Sequence, residues 1–248
     1  MIKVTIIGNG NVASHLTDAF LKASEVSLIQ IYARKLSSIS QLKSVTTITN
    51  SFDDILAADV YIIAVSDDAI GEVSSRIPKN NGLVVHTSGS FDMHTLQCNH
   101  RKGVFYPLQS FSKDKKVNFN TIPLCLEAEY EKDMKLLEQL AFAIGEKIYH
   151  INSKQRQQLH VSAVFVNNFV NHMYKIGYDI CKAYNVPFEV LHPLIAETTA
   201  KINTMAPIDA QTGPAKRNDL KTIANHLTLL NTAQQEIYNT ITKSIQNG

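Results

Sequence analysis

The 248-residue sequence is poor in cysteine, in charge of one sign and in long apolar runs. Its three cysteines, Cys98, Cys125 and Cys181, are far apart, and their spacing fits neither a metal-binding motif nor a disulfide framework. No apolar run approaches the roughly 20 residues that span a bilayer, and a net charge of +2 gives no basis for bulk nucleic-acid or membrane binding. Because a strand pattern starts at residue 2, we expect no signal segment. We therefore expect a cytoplasmic protein with reduced thiols and no metal, nucleic-acid or membrane partner.

The N-terminal residues contain the pattern of a dinucleotide-binding turn. An apolar run ends in a Gly-x-Gly-x-x-Ala motif, and a helical pattern follows at once, which is the context that this motif requires. Gly8 allows the sharp turn, Gly10 lets the backbone approach a pyrophosphate, and Ala13 lets the helix pack close to the strand. The helix N-terminus also offers free N–H groups to phosphates. A glycine-rich turn in an ordinary α/β unit is the alternative to the predicted cofactor contacts, which are Gly8, Asn9, Gly10, Asn11, Val12 and Ala13.

The end of the second predicted strand lacks the acidic residue that selects NAD. A carboxylate there accepts a hydrogen bond from the ribose 2′-hydroxyl, yet no Asp or Glu lies between Glu25 and Asp53. Basic and hydroxyl side chains stand there instead, and arginine presents a fork of donors that suits a 2′-phosphate. We predict NADP as the cofactor, and a solvated basic turn is the alternative. The predicted contacts are Ala33, Arg34, Lys35 and Ser37.

Strand and helix patterns alternate over the first part of the chain. Strands are predicted at residues 2–7, 26–34, 46–49, 60–65, 82–86, 103–106, 121–126 and 147–151, with Pro123 favouring an edge position for the seventh. Helices are predicted at residues 14–23, 52–58, 69–76 and 129–144, and the later part of the chain has helical patterns at residues 153–184, at 188–205 with a possible kink at Pro193, and after Asp219. Nearly continuous apolar strands are typical of a parallel sheet covered on both faces. The predicted fold class is α/β, with a doubly wound Rossmann domain over residues 1–152 and an all-α domain over residues 153–248.

Six motifs spread over nearly the full length resemble a known group of proteins. They are residues 8–13, 65–70, 86–90, 106–111, 160–168 and 212–219. The chain resembles the Rossmann-plus-helical oxidoreductases, which include the 6-phosphogluconate dehydrogenase, 3-hydroxyisobutyrate dehydrogenase and pyrroline-5-carboxylate reductase families. Within this group it looks most like the Rossmann-like proteins with a DUF2520 C-terminal domain, except that Tyr106 stands where His is expected and Asn218 where Gly is expected. The resemblance implies an NADP-binding reductase-like protein.

The ends of the fourth and fifth predicted strands carry polar candidates. Ligands of open parallel sheets bind beyond the carboxyl ends of the strands. The resemblance implies that Val65, Ser66 and Asp67 form a wall of the cofactor site, although Asp67 could equally cap the helix that follows. His86 and Ser88 are expected near the nicotinamide, where they would hydrogen-bond the substrate. The alternative is a turn whose hydroxyl groups bond the local backbone.

Further candidates lie in the helical region. The similar dehydrogenases place a Lys and an Asn four residues apart on this helix, and that pair is absent here. His160 and Asn168, eight residues apart, would share a broad face of one regular helix and take its place. Either His160 or His86 is expected to be the proton donor. A hydrogen-bonded core histidine is the alternative. An anionic group is expected to be held by Arg217 or Lys216, beside a Gly-Pro turn, unless these are solvated cations.

Together these features predict an NADP(H)-dependent oxidoreductase. Its small, anionic carbonyl, imine or hydroxy-acid substrate is expected in a cleft between the domains. Long amphipathic helices in so small a domain would leave apolar faces uncovered, so a homodimer through the helical domain is expected, as in the similar families. A non-catalytic NADP-binding sensor or partner protein is the alternative, favoured by the missing Lys-x-x-x-Asn pair. Coenzyme F420 as the redox partner of NADP is a third possibility.

Overall fold

The structure is a computed structural model, and it describes residues 1–113 and 115–248. The chain divides into two compact units, Met1–Asn167 and Asn168–Gly248. The first unit extends past residue 152 and includes a helix that the sequence analysis assigned to the second domain. The functional division at residue 152 stays a prediction.

Eight strands form one sheet among the described residues of the first unit. They are β1 (Ile2–Ile7), β2 (Val26–Tyr32), β3 (Thr47–Thr49), β4 (Val60–Ile63), β5 (Leu83–His86), β6 (Arg101–Pro107), β7 (Leu124–Ala128) and β8 (Ile148–His150). Their order is β3-β2-β1-β4-β5-β6-β7-β8. Neighbouring strands are parallel except β6 and β7. This confirms the predicted sheet and places its switch point between β1 and β4, where such folds bind ligands.

The predicted edge position of β7 is wrong. This strand lies between β6 and β8, and it begins one residue after Pro123. The proline therefore removes no donor from the ladder. Its carbonyl instead accepts a hydrogen bond from the Leu108 N–H at 2.9 Å.

Both faces of the sheet are buried, which explains the continuous apolar runs. Successive strand residues point to opposite faces. Val4 and Ile6 of β1 belong to one hydrophobic cluster, whereas Ile7, Tyr61 and Ile63 belong to the other. The α-helices among the described residues of this unit are α1 (Asn11–Phe20), α2 (Asp67–Ser75), α3 (Glu131–Phe142) and α4 (Ser153–Ala163).

The predicted helix at residues 52–58 is wrong. Only one 3₁₀ turn forms there, Phe52–Asp54, and the chain continues extended. Side chains of neighbouring strands take the backbone donors that a helix would need. The Gln30 Oε1 accepts from the Leu56 N–H at 2.9 Å, and the Tyr61 Oη accepts from the Ala58 N–H at 2.9 Å.

The second unit is helical, which confirms the predicted all-α region. Its helices are α5 (Val170–Ala183), α6 (His192–Lys201), α7 (Pro207–Ala210), α8 (Leu220–Thr228) and α9 (Thr232–Asn247). The predicted continuous helix at residues 153–184 is interrupted by a π-helical segment, Val164–Phe169. Pro193 lies in the first turn of α6 and starts that helix rather than kinking it. Asp219 caps α8 as predicted. No helix among the described residues is long and apolar enough to cross a membrane.

Candidate functional site

A cavity of about 610 Å³ opens at the switch point of the sheet. Its size lies within the usual range of small-molecule sites, roughly 300–1,000 Å³. The lining contains the ends of β1, β2 and β4, together with the first residues of α1. Predicted cofactor residues in the lining are Gly8, Asn9, Gly10, Asn11, Val12, Ala33, Arg34, Val65 and Ser66.

The two glycines of the turn meet different constraints. Gly8 has φ +136°, and a Cβ added there would lie 2.1 Å from the Ala64 carbonyl oxygen. The fold itself therefore requires glycine at residue 8. Gly10 has an ordinary φ of −73°, and an added Cβ would meet no atom of the described residues within 4 Å. The open space above Gly10 fits the close approach of a pyrophosphate.

The basic turn after β2 is tied to the glycine turn. The Asn9 Nδ2 donates to the Ser38 Oγ at 2.7 Å, and the Ser38 hydroxyl donates to the Lys35 carbonyl at 2.6 Å. Arg34 lines the cavity, while Lys35 and Ser37 are exposed on the same turn. A cation and neutral donors thus stand where an NAD-specific site would place a carboxylate, so these residues fit a 2′-phosphate.

The start of α2 links the cavity to a group of hydrogen-bonded side chains that we call the polar array. Its members are Asp67, Ser88, Ser90, Tyr106 and His160. Val65 and Ser66 line the cavity, and Asp67 is the first residue of α2, where its charge favours the helix dipole. The Asp67 carboxylate also accepts a hydrogen bond from the Ser90 hydroxyl. Asp67 is not among the residues that line the cavity, and its role as a wall of the cofactor site stays a prediction. Its hydrogen-bond partner Ser90 lies on the loop after β5.

That loop is held by Ser88 and His86. The Ser88 Oγ accepts from the backbone N–H groups of Ser90 and Phe91 at 3.1 and 3.0 Å. The His86 Nδ1 accepts from the Ser88 N–H at 3.1 Å. Burial, with a smaller contribution from the Arg156 charge, lowers the pKa of His86 to about 3. His86 is therefore a neutral ring that carries its proton on Nε2.

His160 of α4 faces the same loop. Its Nδ1 lies 3.4 Å from the Tyr106 Oη, and a Cβ added at Gly89 would lie only 2.6 Å from this Nδ1. Burial raises the pKa of Tyr106 to about 12. The phenol therefore keeps its proton and can donate it to Nδ1, which leaves the Nε2 of His160 available for a second partner.

A buried ion pair fixes α4 against the sheet. Arg156 is fully buried and pairs with the Glu127 carboxylate of β7. Its Nη2 also donates to the Phe91 carbonyl at 2.5 Å, which lies on the loop after β5. Glu127 in turn accepts from the Ser153 N–H and hydroxyl at 2.8 and 2.9 Å. This network sets the position of His160, one turn further along α4.

Asn168 and Arg217 belong to the second unit, and both are exposed. The predicted common face of His160 and Asn168 assumed a regular α-helix, and that assumption is wrong. The π-helical segment changes the spacing between them. Asn218, next to Arg217, has φ +54°, a left-handed conformation that glycine adopts without strain and that fits the glycine expected there. The catalytic roles of Asn168 and Arg217 stay predictions.

Comparison with known proteins agrees with this geometry. The family model described as a domain of unknown function, DUF2520, matches residues 122–245, half of the chain. The chain belongs to the DUF2520 family. A second model, described as NADP oxidoreductase, coenzyme F420-dependent, matches residues 3–88 of this DUF2520 protein and confirms the predicted NADP cofactor. None of the curated proteins matches the chain.

Solved structures share the fold over the full length. A Bacteroides fragilis protein described as a candidate NADP oxidoreductase is 36% identical, with a TM-score of 0.90 over 100% of this chain and 98% of that one. A Thermotoga maritima protein is 20% identical, with a TM-score of 0.76 over 98% and 97%. A reductive aminase from Aspergillus terreus, in complex with NADPH and ethyl levulinate, is 14% identical, with a TM-score of 0.73 over 100% and 93%. The last two show the fold alone.

Sequence reasoning missed several residues of the site in this DUF2520 protein. Tyr106 was noted only as a departure from the family pattern, and Arg156 looks like a surface residue on a polar helix. Phe52 and Arg76, which line the cavity, gave no signal because neither belongs to the glycine motif. Ser90 lies within the motif at residues 86–90, and its spacing from Ser88 could have indicated a shared hydrogen-bonded turn.

Proposed function

We propose that this protein is an NADP(H)-dependent oxidoreductase acting on a small carbonyl, imine or hydroxy-acid substrate. One observation carries the proposal: the cofactor cavity and the polar array share the ends of two neighbouring strands. Thr87 after β5 lines the cavity, and the next residue, Ser88, holds the array. Gln109 after β6 also lines the cavity, and Tyr106 of the same strand meets His160. One end of a ligand bound in the cavity would thus lie beside the polar array, whose side chains could donate a proton to the substrate.

The residues of the cavity would hold NADP by its phosphates. The free N-terminus of α1 and the open space above Gly10 suit the pyrophosphate. Arg34, Lys35 and Ser37 suit the 2′-phosphate, while Val65, Ser66 and Thr87 would border the nicotinamide half. NADPH, when bound, supplies a hydride.

His160 is the proposed proton donor of the reduction. Tyr106 would hold the Nδ1 edge of the ring, so that Nε2 faces the substrate and gives it a proton. His86 is a poor donor because it is buried and neutral, so we assign it to positioning Ser88. The Ser88 and Ser90 hydroxyl groups would orient the polar atom of the substrate, and Asp67 holds Ser90 in place.

An anionic substrate and its contacts with Asn168 and Arg217 form the finer part of the proposal. Arg217 supplies an exposed cation on the loop before α8, and Asn168 supplies an amide. The position of the substrate between the domains stays a prediction. A non-catalytic NADP sensor is the second candidate, supported by the missing Lys-x-x-x-Asn pair.

We also propose that the protein is a homodimer joined through its helical unit. This unit exposes large apolar side chains, including Val190 at 66% and Leu194 at 62%. Contiguous exposed apolar surface marks interaction sites. Light scattering during gel filtration tests this, and Leu194→Glu is expected to convert a dimer to a monomer. A wild-type monomer at micromolar concentration would contradict the proposal.

The cofactor is tested by titrating the protein with NADPH, NADP, NADH and NAD. We expect tighter binding of the phosphorylated pair, and Arg34→Glu should remove that preference. Lys43→Glu, an exposed change outside the cavity, is the matched control. If none of the four nucleotides binds, the oxidoreductase assignment fails.

Turnover is tested by NADPH oxidation with a panel of small keto acids and imines. For any active substrate, His160→Asn should lower kcat by about 10²-fold or more. His86→Asn keeps an acceptor near Nδ1 and should have a much smaller effect. Tight NADPH binding without turnover of any substrate in the panel would favour the sensor.

A further inference from the structure

Three planar groups follow one another along one side of the cofactor cavity, and the first two rings are tilted by 36°. Tyr32 ends β2, Phe52 lies in the 3₁₀ turn after β3, and Arg76 follows α2. The Tyr32 and Phe52 ring centroids are 4.3 Å apart, and the Arg76 Cζ lies 4.3 Å from the Phe52 centroid. All three residues line the cavity together with Arg34. We call this arrangement the Tyr32–Phe52–Arg76 stack.

Only the last member of the stack is free to meet a ligand. Phe52 and Tyr32 are 6% and 7% exposed, so their rings are largely covered. The Arg76 side chain is 54% exposed. A guanidinium is planar and stacks on aromatic faces. Phe52 covers one side of the guanidinium, and the exposed remainder of Arg76 is open to a second planar group.

We propose that Arg76 is the platform on which the adenine ring of the cofactor stacks. The inference rests on the proposed function, because it assumes a dinucleotide in this cavity. Adenine is the planar group at the end of NADP that Arg34 would hold by the 2′-phosphate. Phe52 acts as a positioning residue, because its ring lies against the Arg76 guanidinium.

The neighbours of Arg76 favour stacking over phosphate binding. The Glu72 carboxylate lies 4.0 Å from the Arg76 Nη1 and also lines the cavity. This negative charge offsets the attraction of Arg76 for a phosphate, and it leaves the planar face of the guanidinium unchanged. Arg34 stands in a segment without carboxylates. The two arginines therefore have separate tasks, Arg34 for the 2′-phosphate and Arg76 for adenine.

This division of tasks has a measurable signature in nucleotide affinity. Adenine is common to NADPH, NADH and ADP, so losing the platform should weaken all three equally. We expect Arg76→Ala to raise each Kd by the same factor, about five-fold. Arg34→Ala should instead raise the Kd for NADPH far more than that for NADH. Fluorescence titration measures the two dinucleotides, and displacement of NADPH measures ADP.

Arg76→Lys separates planarity from charge. Lysine keeps the positive charge and loses the planar group, so it can make only a weaker contact with the adenine face. Its Kd values should therefore lie closer to those of Arg76→Ala than to those of the wild type. Phe52→Leu removes the supporting ring and should weaken all three nucleotides by a smaller common factor. Circular dichroism of each variant controls for folding.

Three results would overturn the inference. They are a loss confined to NADPH in Arg76→Ala, no loss at all, and recovery of wild-type affinity by Arg76→Lys. The first and third would make Arg76 a phosphate contact. Failure of the wild-type protein to bind any nucleotide is a different result, because it would remove the proposed function as well.

Discussion

Replacing the two glycines of the turn one at a time should separate folding from cofactor binding. At residue 8, alanine meets a φ of +136° and a carbonyl oxygen 2.1 Å from its Cβ. Backbone strain of this kind costs about 1–3 kcal/mol, and overpacking adds a similar amount. The oxygen belongs to Ala64, just after β4, so little can move. We expect Gly8→Ala to lower the free energy of unfolding by about 3 kcal/mol or more.

At residue 10 the same change should leave stability intact and damage binding. The backbone is already in an ordinary conformation, and the described residues leave the space around an added Cβ open. We expect the free energy of unfolding to stay within about 0.5 kcal/mol of wild type. The methyl group would occupy the space proposed for the pyrophosphate, so the Kd for NADPH should rise at least ten-fold, about 1.4 kcal/mol.

Urea denaturation without nucleotide and NADPH fluorescence titration measure the two effects separately. Gly177→Ala is the matched control, since the nearest atoms to its added Cβ are at 3.8 and 4.0 Å, an ordinary contact distance. It should bind NADPH like the wild type and be no less stable, because alanine favours the helix α5 over glycine. Wild-type NADPH affinity in Gly10→Ala would refute the argument from open space. Wild-type stability in Gly8→Ala would refute the steric argument.

Three further predictions concern the buried groups of the first unit and the thiols. Arg156→Met leaves the Glu127 carboxylate buried without its ion-pair partner, so denaturant unfolding should show a loss of about 3–5 kcal/mol; a loss below 1 kcal/mol would contradict this. The unfolded chain protonates His86 below about pH 6.5, whereas the folded protein does not until about pH 3. Stability should therefore fall between these values as the pH is lowered, by at most about 1.4 kcal/mol per pH unit from this group, and His86→Asn should flatten that dependence relative to wild type. A thiol reagent should modify the part-exposed Cys181 before the two buried cysteines, as peptide mass mapping would show; early labelling of either buried thiol would contradict the packing.

Local patterns in the sequence were enough to predict the sheet and the cofactor turn. Gly8 and Gly10 act within a few residues of their positions, and the buried strands contain their own apolar signal. The residues that complete the site depend on distant partners. Arg156 is buried because Glu127, 29 residues earlier, neutralises it. The segment after Phe52 is extended because its backbone N–H groups donate to side chains of other strands. Such bonds cannot be predicted from the helix or strand propensities of the segment itself.

The hydrogen bond between Asn9 and Ser38 has a consequence for protein engineering. A change of cofactor preference is usually sought by rewriting the short segment that follows the second strand. Here that segment supplies the acceptor for a side chain of the glycine turn, so the two segments behave as one unit of design. A variant that gains an acidic residue at position 34 and also loses Ser38 would free the Asn9 amide as well. Exchange of NADP for NAD should therefore be attempted with Asn9 and Ser38 kept together or replaced together.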